Sequence, residues 1–214
     1  MITLENITKV YKTKRGLHTV LDGVSFDVPL GTSLGIMGRN GAGKSTLLRI
    51  IGGAEMPTSG TVTRGSRVSF PIGFSGAFHG SLTGEENCRF AARIYGQDIR
   101  RVVQETRDFA DIGDYFYNPV GTYSTGMRAR LAFGLSMSID FDVYLVDEVT
   151  AVGDSRFKKK CSTALKKRAE FGSLIVISHS VGTLRQLCDR CAVLDQGKLT
   201  VYDSVEAANE VYAA

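Results

Sequence analysis

The pattern of apolar and polar positions predicts antiparallel strands in the first part of the chain. Residues 2–11 and 18–29 alternate apolar with polar side chains, which is typical of strands that expose one face. Asp22-Gly23 or Leu30-Gly31 can supply the turns between such strands. Residues 60–70 have the pattern of a further hairpin. Together these segments predict an N-terminal antiparallel β subdomain.

In the middle of the chain the apolar residues recur at the spacing of a helix and not at that of a strand. Residues 84–113 place apolar side chains at helical spacing, and Ser124 is suited to cap another helix that runs to about residue 138. Because core-type strands lie on either side of this region, we expect a helical subdomain over approximately 78–140, inserted in the core.

Three short runs are apolar enough to be buried on both faces, namely 33–37, 143–146 and 174–177. Such strands alternate with helices, which predicts an α/β fold with a mostly parallel sheet. The length of 214 residues fits one sizeable core, so we expect residues 1–214 to form a single domain.

Charge and cysteine content change this picture little. The net charge is +4, and basic residues cluster in 155–160 and 166–168, where a solvated helix face is expected. Contact with an anionic membrane surface or with nucleic acid is the less favoured alternative, and we expect no nucleic-acid partner. Cys188-x-x-Cys191 lacks a second pair at zinc spacing, so the four cysteines are expected to be ordinary buried thiols. No run approaches the roughly 20 apolar residues of a membrane span, and no signal peptide is recognisable, which predicts a cytoplasmic chain.

The apolar run 33–37 leads into Gly38-Arg39-Asn40-Gly41-Ala42-Gly43-Lys44-Ser45, which matches the phosphate-loop pattern G-x-x-x-x-G-K-[ST]. Glycines let the backbone turn its N–H groups toward a polyphosphate, and Lys44 can reach the β- and γ-phosphates. The Ser45 hydroxyl can ligate Mg²⁺, and the helix that continues through Thr46 adds the positive end of its dipole. The sequence therefore predicts a P-loop NTPase core.

Two carboxylates follow the apolar run 143–146. Sheets of this class bind ligands at the C-terminal edge of their strands, so Asp147 is suited to hold Mg²⁺ beside Ser45. Glu148 is placed to polarise a water for attack on the γ-phosphate. The alternative is a solvated acidic turn, which is less favoured beside a phosphate loop.

A third motif identifies a family. Tyr123-Ser124-Thr125-Gly126-Met127 opens a helix shortly before the Asp147 strand, and His179 follows the next strand. With the phosphate loop, this ordered set resembles the ATPase subunit of an ABC transporter over essentially the whole chain. Ser124 and Gly126 are kept, whereas Tyr123, Thr125 and Met127 depart from the usual Leu-Ser-Gly-Gly-Gln.

The resemblance implies ATP and Mg²⁺ as cofactors and a homodimer, in which Ser124 and Gly126 bind the γ-phosphate of an ATP held by the other copy. His179 would contact that phosphate, and Asp154 would belong to an inter-subunit loop. Tyr11 matches the aromatic that stacks on adenine, although a strand aromatic packed on the core is an equal alternative. The glutamine that the family usually carries is missing near Phe74 and Ser75, where Ser75 or a water could replace it.

The segment 76–84, together with the Tyr-Ser-Thr-Gly-Met signature, is similar to ATPases that export cell-surface polysaccharides. The chain leaves no room for the carbohydrate-binding domain of many O-antigen exporters, so the shorter capsule-export ATPases are the nearer resemblance. This implies a peripheral subunit at the cytoplasmic face of the inner membrane, an integral membrane permease as partner and, indirectly, a lipid-linked polysaccharide.

Other functions stay open at this point. Teichoic acid, O-antigen or another lipid-linked glycan could be the cargo. A soluble ABC ATPase acting on ribosomes or DNA is disfavoured, because such proteins usually have two ATPase domains or a long coiled-coil insertion. A nucleotide switch that only binds is disfavoured by the set Asp147, Glu148 and His179.

Overall fold

The structure is a computed structural model that describes residues 1–14, 16–72, 78–147 and 154–213. Its residues group into two compact units. The first unit comprises Met1–Pro71, Phe141–Glu148 and Leu165–Ala214. The second unit comprises Ile72–Asp140 and Val149–Ala164.

A three-stranded antiparallel sheet forms the first part of the first unit. It contains β1 (Ile2–Thr13), β2 (Gly16–Val28) and β4 (Ser59–Arg64), in the order β2-β1-β4. The alternation expected for β1 and β2 is confirmed, because Ile2, Leu4 and other inward residues are buried while the residues between them are partly or fully exposed.

Two details of the predicted strands are wrong. Of the two candidate turns, Leu30-Gly31 is a turn after β2, whereas Asp22-Gly23 lies inside β2, where the pairing with β1 shifts its register. Residues 60–70 form no hairpin, because β4 pairs with β1 and Val68 instead makes a parallel bridge to Val143. The Ser69 N–H donates to the Val143 carbonyl at 2.9 Å, so residues around Val68 run beside the strand that begins at Val143 and do not pair with residues 60–63.

The second sheet of the first unit has five strands in the order β5-β6-β3-β7-β8. Four of them run parallel, as expected, and β8 runs antiparallel to β7. The strands are β3 (Leu34–Met37), β5 (Val143–Asp147), β6 (Ser173–Ile177), β7 (Arg190–Asp195) and β8 (Lys198–Tyr202).

Three helices belong entirely to the first unit: α1 (Lys44–Ile51), α6 (Val181–Leu187) and α7 (Val205–Ala213). The apolar side of α1 packs into one core with the inward residues of both sheets. Leu47, Leu48 and Ile50 are completely buried there. Burial of such side chains contributes about 1.5–3 kcal/mol each, which fixes α1 and the loop before it against the sheets.

The second unit is helical. It contains α2 (Gly84–Ile94), α3 (Ile99–Ala110), α4 (Thr125–Ser138) and two short 3₁₀ helices, Gly113–Tyr117 and Val120–Thr122. The expected helical stretch of 84–113 is thus two helices, because Asp98 caps α3 through the Arg101 N–H. The basic helix α5 (Ser155–Ala169) belongs to this unit up to Ala164.

The four cysteines are free thiols, and Cys88, Cys161 and Cys191 are buried. Burial raises the pKa of Cys161 to about 12 and that of Cys191 to about 11, so both stay neutral and inert. Within the part of the chain that the structure describes, no helix is long and apolar enough to cross a membrane. Within the same residues, no group of three or more His, Cys, Asp or Glu side chains could hold a metal ion by itself.

Ser69→Ala should destabilise the strand β5, which carries Asp147. The buried Ser69 hydroxyl accepts a hydrogen bond from the Leu145 N–H at 2.8 Å and donates to the Phe70 carbonyl at 2.7 Å. Removing it leaves a buried N–H without a partner, which costs about 1–3 kcal/mol of the free energy of unfolding. Urea unfolding measures this loss.

The control is Thr163→Ala, which removes a hydroxyl, together with the methyl beside it, from the exposed face of α5. It should change the free energy of unfolding by no more than about 0.5 kcal/mol. Equal effects of the two substitutions would contradict the role given to Ser69.

Candidate functional site

The site is built where three parallel strands end side by side. Asp147 of β5 pairs with Ile177 of β6, and Ile177 in turn pairs with Ile36 of β3. Whatever follows these strands is therefore brought to one edge of the sheet. Asp147 ends β5, the phosphate loop follows β3, and His179 follows β6.

A cavity of about 290 Å³ opens at this edge. Eight of its lining residues are candidates from the sequence: Asn40, Gly41, Gly43, Lys44, Ser45, Thr46, Asp147 and His179. Sequence patterns did not single out the other two, Val20 of β2 and Ile177 of β6. The structure thus brings the phosphate loop, Asp147 and His179 together within one unit.

Two glycines of the loop are required by close packing. A Cβ on Gly38 would lie 2.4 Å from the Leu194 carbonyl oxygen, and one on Gly43 would lie 2.8 Å from a Val20 methyl carbon. Both also have positive φ, +155° and +104°, a region in which side chains are rarely found. The loop can therefore pass close to β7 and β2 only with glycine at these positions.

Lys44 is the first residue of α1 and is almost completely buried. Its ammonium group donates to the carbonyls of Gly38 at 2.6 Å and Arg39 at 3.0 Å, so it braces the loop from inside. The Ala42 N–H also donates to the Arg39 carbonyl, at 3.1 Å. The Arg39 side chain lines a different cavity, with residues of β7 and α7.

Ser45 and Asp147 both line the cavity, and Ser45 is exposed while Asp147 is partly exposed. A hydroxyl and one carboxylate, completed by substrate phosphates and water, are a donor set that suits Mg²⁺. The residues present therefore fit the metal that the sequence motif implies.

Tyr11 is not packed into the core, since its side chain is partly exposed on β1. Its hydroxyl donates to Glu55 and lies 3.5 Å from the Thr46 hydroxyl. Glu55 also accepts from Lys9 and Arg49. Sequence analysis missed Glu55 because its partners lie on β1 and α1, and only the folded pairing brings them to it.

In the second unit, Ser124 caps α4 as expected. Its hydroxyl accepts a hydrogen bond from the Met127 N–H at 3.2 Å, and Ser124 and Gly126 are exposed at the helix start. Tyr123, which replaces the family's leucine, is buried, and its hydroxyl donates to the Tyr115 carbonyl at 2.6 Å. Burial raises the pKa of Tyr123 to about 12, so the hydroxyl remains a donor.

Asp154 caps α5. One carboxylate oxygen accepts from the Phe157 N–H at 2.8 Å, and the other accepts from Arg130 of α4 at 2.9 Å. The hydrogen bond from the Phe157 backbone, with Arg130 beside it, lowers the pKa of Asp154. The Arg130 guanidinium also lies over the Phe157 ring, 4.5 Å from its centre. This pair therefore ties the start of α5 to the helix that Ser124 opens.

Three expectations lie outside the described residues. These are the base Glu148, the segment 73–77 where the family's glutamine is missing, and residues 151–153 of the inter-subunit loop.

Comparisons with known proteins agree with this arrangement. The family model described as ABC transporter matches residues 21–151. The capsule polysaccharide export ATP-binding protein CtrD of Neisseria meningitidis serogroup B is 49% identical, over 99% of this chain and 98% of the relative. A polysialic acid transport ATP-binding protein, KpsT of Escherichia coli, is 45% identical over 99% of this chain and 96% of its own length. Teichoic acids export ATP-binding proteins also match, at lower identity.

Among solved structures, a dimeric ATP-binding cassette in a post-hydrolysis state, bound to ADP and Pi, superimposes with a TM-score of 0.82. It covers 95% of this chain and 98% of its own, and at 24% identity the likeness concerns the fold. Fold, site and relatives lead to one conclusion: the chain belongs to the ABC transporter family, as an ATP-binding subunit that hydrolyses ATP.

Proposed function

We propose that this chain powers the export of capsular polysaccharide across the inner membrane, as a homodimer attached to a separate permease. The observation that carries the proposal is the single cavity lined by Lys44, Ser45, Asp147 and His179. Near full-length similarity to ATPases named for capsule polysaccharide and polysialic acid transport supports the cargo. The subunit would sit peripherally at the cytoplasmic face of that membrane.

Each copy supplies half of an ATP site in this proposal. The phosphate loop and Lys44 hold the phosphates of ATP, and Tyr11 stacks on its adenine. The start of α4 in the second copy, with Ser124 and Gly126, then faces the γ-phosphate. An exposed helix N-terminus with free N–H groups is suited to an anion, and glycine lets the phosphate come close.

Hydrolysis then depends on position and charge. Glu148 polarises the attacking water, and the exposed His179 orients it toward the γ-phosphate. Mg²⁺, held by Ser45 and Asp147, would neutralise charge on the β- and γ-phosphates. Closing of the two copies around ATP pushes on the permease, and loss of the γ-phosphate releases them.

Teichoic acid or another lipid-linked glycan is the second candidate cargo. It is less favoured, because proteins named for teichoic acid export match this chain at lower identity. Analysis of the surface polymers of a cell that lacks this chain distinguishes between these cargoes. We expect such a cell to lose surface capsule and keep the polymer inside, and loss of a teichoic acid or O-antigen with intact capsule would contradict the proposal.

Glu148→Gln tests the hydrolytic role. The amide keeps the shape of the carboxylate but is a poor base, so the rate of phosphate release should fall about 10²-fold or more. ATP affinity should stay within about twofold, since the phosphate loop is unchanged, and ATP should trap the dimer. Phosphate release and gel filtration with ATP measure both effects.

Glu170→Gln is the matched control, because it makes the same change at an exposed carboxylate just after α5. It should leave turnover unchanged. Normal phosphate release by the Glu148 variant would remove Glu148 from the mechanism.

Gly38→Ala tests the phosphate loop itself. The added methyl would lie 2.4 Å from the Leu194 carbonyl oxygen, so the loop must shift and its N–H groups must leave the phosphates. We expect ATP to bind about tenfold or more weakly, in equilibrium titrations. Gly80→Ala is the control, because a Cβ there meets its nearest atom at an ordinary 3.7 Å. Unchanged ATP affinity in the Gly38 variant would contradict the assignment of this loop.

A further inference from the structure

We propose that Glu55 is a positioning residue for base recognition. Its carboxylate fixes the hydroxyl of Tyr11 and so holds the ring in place for the adenine of ATP. This inference rests on the proposed function, in which Tyr11 is the aromatic that stacks on adenine.

Glu55 receives donors from three side chains. Its Oε1 accepts from the Tyr11 hydroxyl and from Lys9 Nζ at 2.9 Å, and its Oε2 accepts from Arg49 Nε at 3.0 Å. The side chains of Glu55 and Lys9 are only 18% and 15% exposed, whereas that of Arg49 is 43% exposed. Such charge-assisted bonds are about twice as strong as neutral ones.

The charge of Glu55 determines which way the Tyr11 hydrogen bond points. Burial alone would raise the pKa of this carboxyl, but hydrogen bonds from Tyr11, Lys9 and Arg49 lower it to about 2. Glu55 is therefore ionised at neutral pH. Because an ionised carboxylate only accepts, the Tyr11 hydroxyl must donate to it, and rotation of the ring away from Glu55 breaks that bond.

The cluster joins the two parts of the chain that would hold opposite ends of ATP. Lys9 and Tyr11 are two residues apart on β1 and so share a face, and Lys9 Nζ lies 5.1 Å from the centre of the Tyr11 ring. With Lys9 over one face of the ring, a base would stack on the other. Arg49 lies on α1, and its NH2 group donates to the Thr46 hydroxyl in the cavity at 3.2 Å.

Glu55 thus has two routes to the nucleotide, one through Tyr11 to the base and one through Arg49 to the phosphates. The proposal is that the first route matters. The partly exposed Tyr11 ring is held through its hydroxyl by Glu55 and over its face by Lys9, which is itself bound to Glu55. Its other polar contact, with the Thr46 hydroxyl, is long at 3.5 Å, whereas α1 is held independently by its buried apolar side chains. Loss of Glu55 should therefore release the ring and leave the phosphate loop in place.

The test compares Mg·ATP with magnesium tripolyphosphate, which has the phosphates and no base. Equilibrium titrations are made with wild type, Glu55→Ala, Tyr11→Phe and the double variant. We expect Glu55→Ala to weaken ATP binding about five- to tenfold and tripolyphosphate binding less than twofold. Tyr11→Phe keeps the ring and removes only its hydroxyl, so it should cause a similar selective loss.

The double variant should bind ATP no more weakly than the weaker single variant, because both changes break the same hydrogen bond. Equal losses for ATP and tripolyphosphate would show that Glu55 acts through α1 and would overturn the proposal, as would no loss for ATP. If Glu55→Ala fails to fold, Tyr11→Phe decides alone, since it keeps the ion pairs of Glu55 with Lys9 and Arg49.

Failure of the proposed function would look different. Tyr11→Ala removes the ring, and if wild type and this variant bind ATP equally well, Tyr11 is not the adenine platform. If Tyr11→Ala loses ATP affinity while Glu55→Ala and Tyr11→Phe keep it, the platform is correct and only the role of Glu55 is wrong.

Discussion

The register of three parallel strands is the constraint on which the rest of the first unit depends. Hydrogen bonds along β5, β6 and β3 set Asp147 beside Ile177 and Ile177 beside Ile36, so the three strands end at one level. A slip of one residue would turn every side chain of a strand to the opposite face. Since these strands are buried on both sides, such a slip would also set their side chains against neighbours that they do not fit. Core packing therefore fixes the positions of the site residues that follow these strands.

The phosphate loop depends on the same constraint through its glycines. It passes so close to β7 and β2 that no side chain fits at Gly38 or Gly43. Lys44 turns back to the loop carbonyls, which keeps a buried charge satisfied until phosphate oxygens compete for it. The first unit also carries a polar cluster at Glu55, and the second unit carries an exposed helix start at Ser124. The cluster would order the base, and the helix start would complete the site of another copy.

Local motifs were readable from the sequence, and long-range pairings were not. The phosphate loop, the strand that ends at Asp147 and the Ser124 cap each depend on a few consecutive residues, so their patterns predicted the elements and much of the cavity lining. The predicted hairpin of 60–70 is wrong because the packing of the whole core determines which strands pair. In the structure β4 pairs with β1, and Val68 forms a bridge to Val143. Glu55 was missed for the same reason. The partners of Glu55 lie on β1 and α1, and only the folded chain brings them to it.

The central claim is that each ATP site is shared between two copies, and mixing two inactive variants tests it most directly. Lys44→Ala damages the phosphate loop, and Gly126→Asp places a carboxylate at the start of α4, where a Cβ meets only the Ser124 hydroxyl at 3.9 Å. In a mixed dimer one site carries both changes, and the other pairs an intact loop with an intact helix start. The shared site predicts that the mixture hydrolyses ATP well above the sum of the separate variants. A mixture that remains as inactive as its components would contradict it.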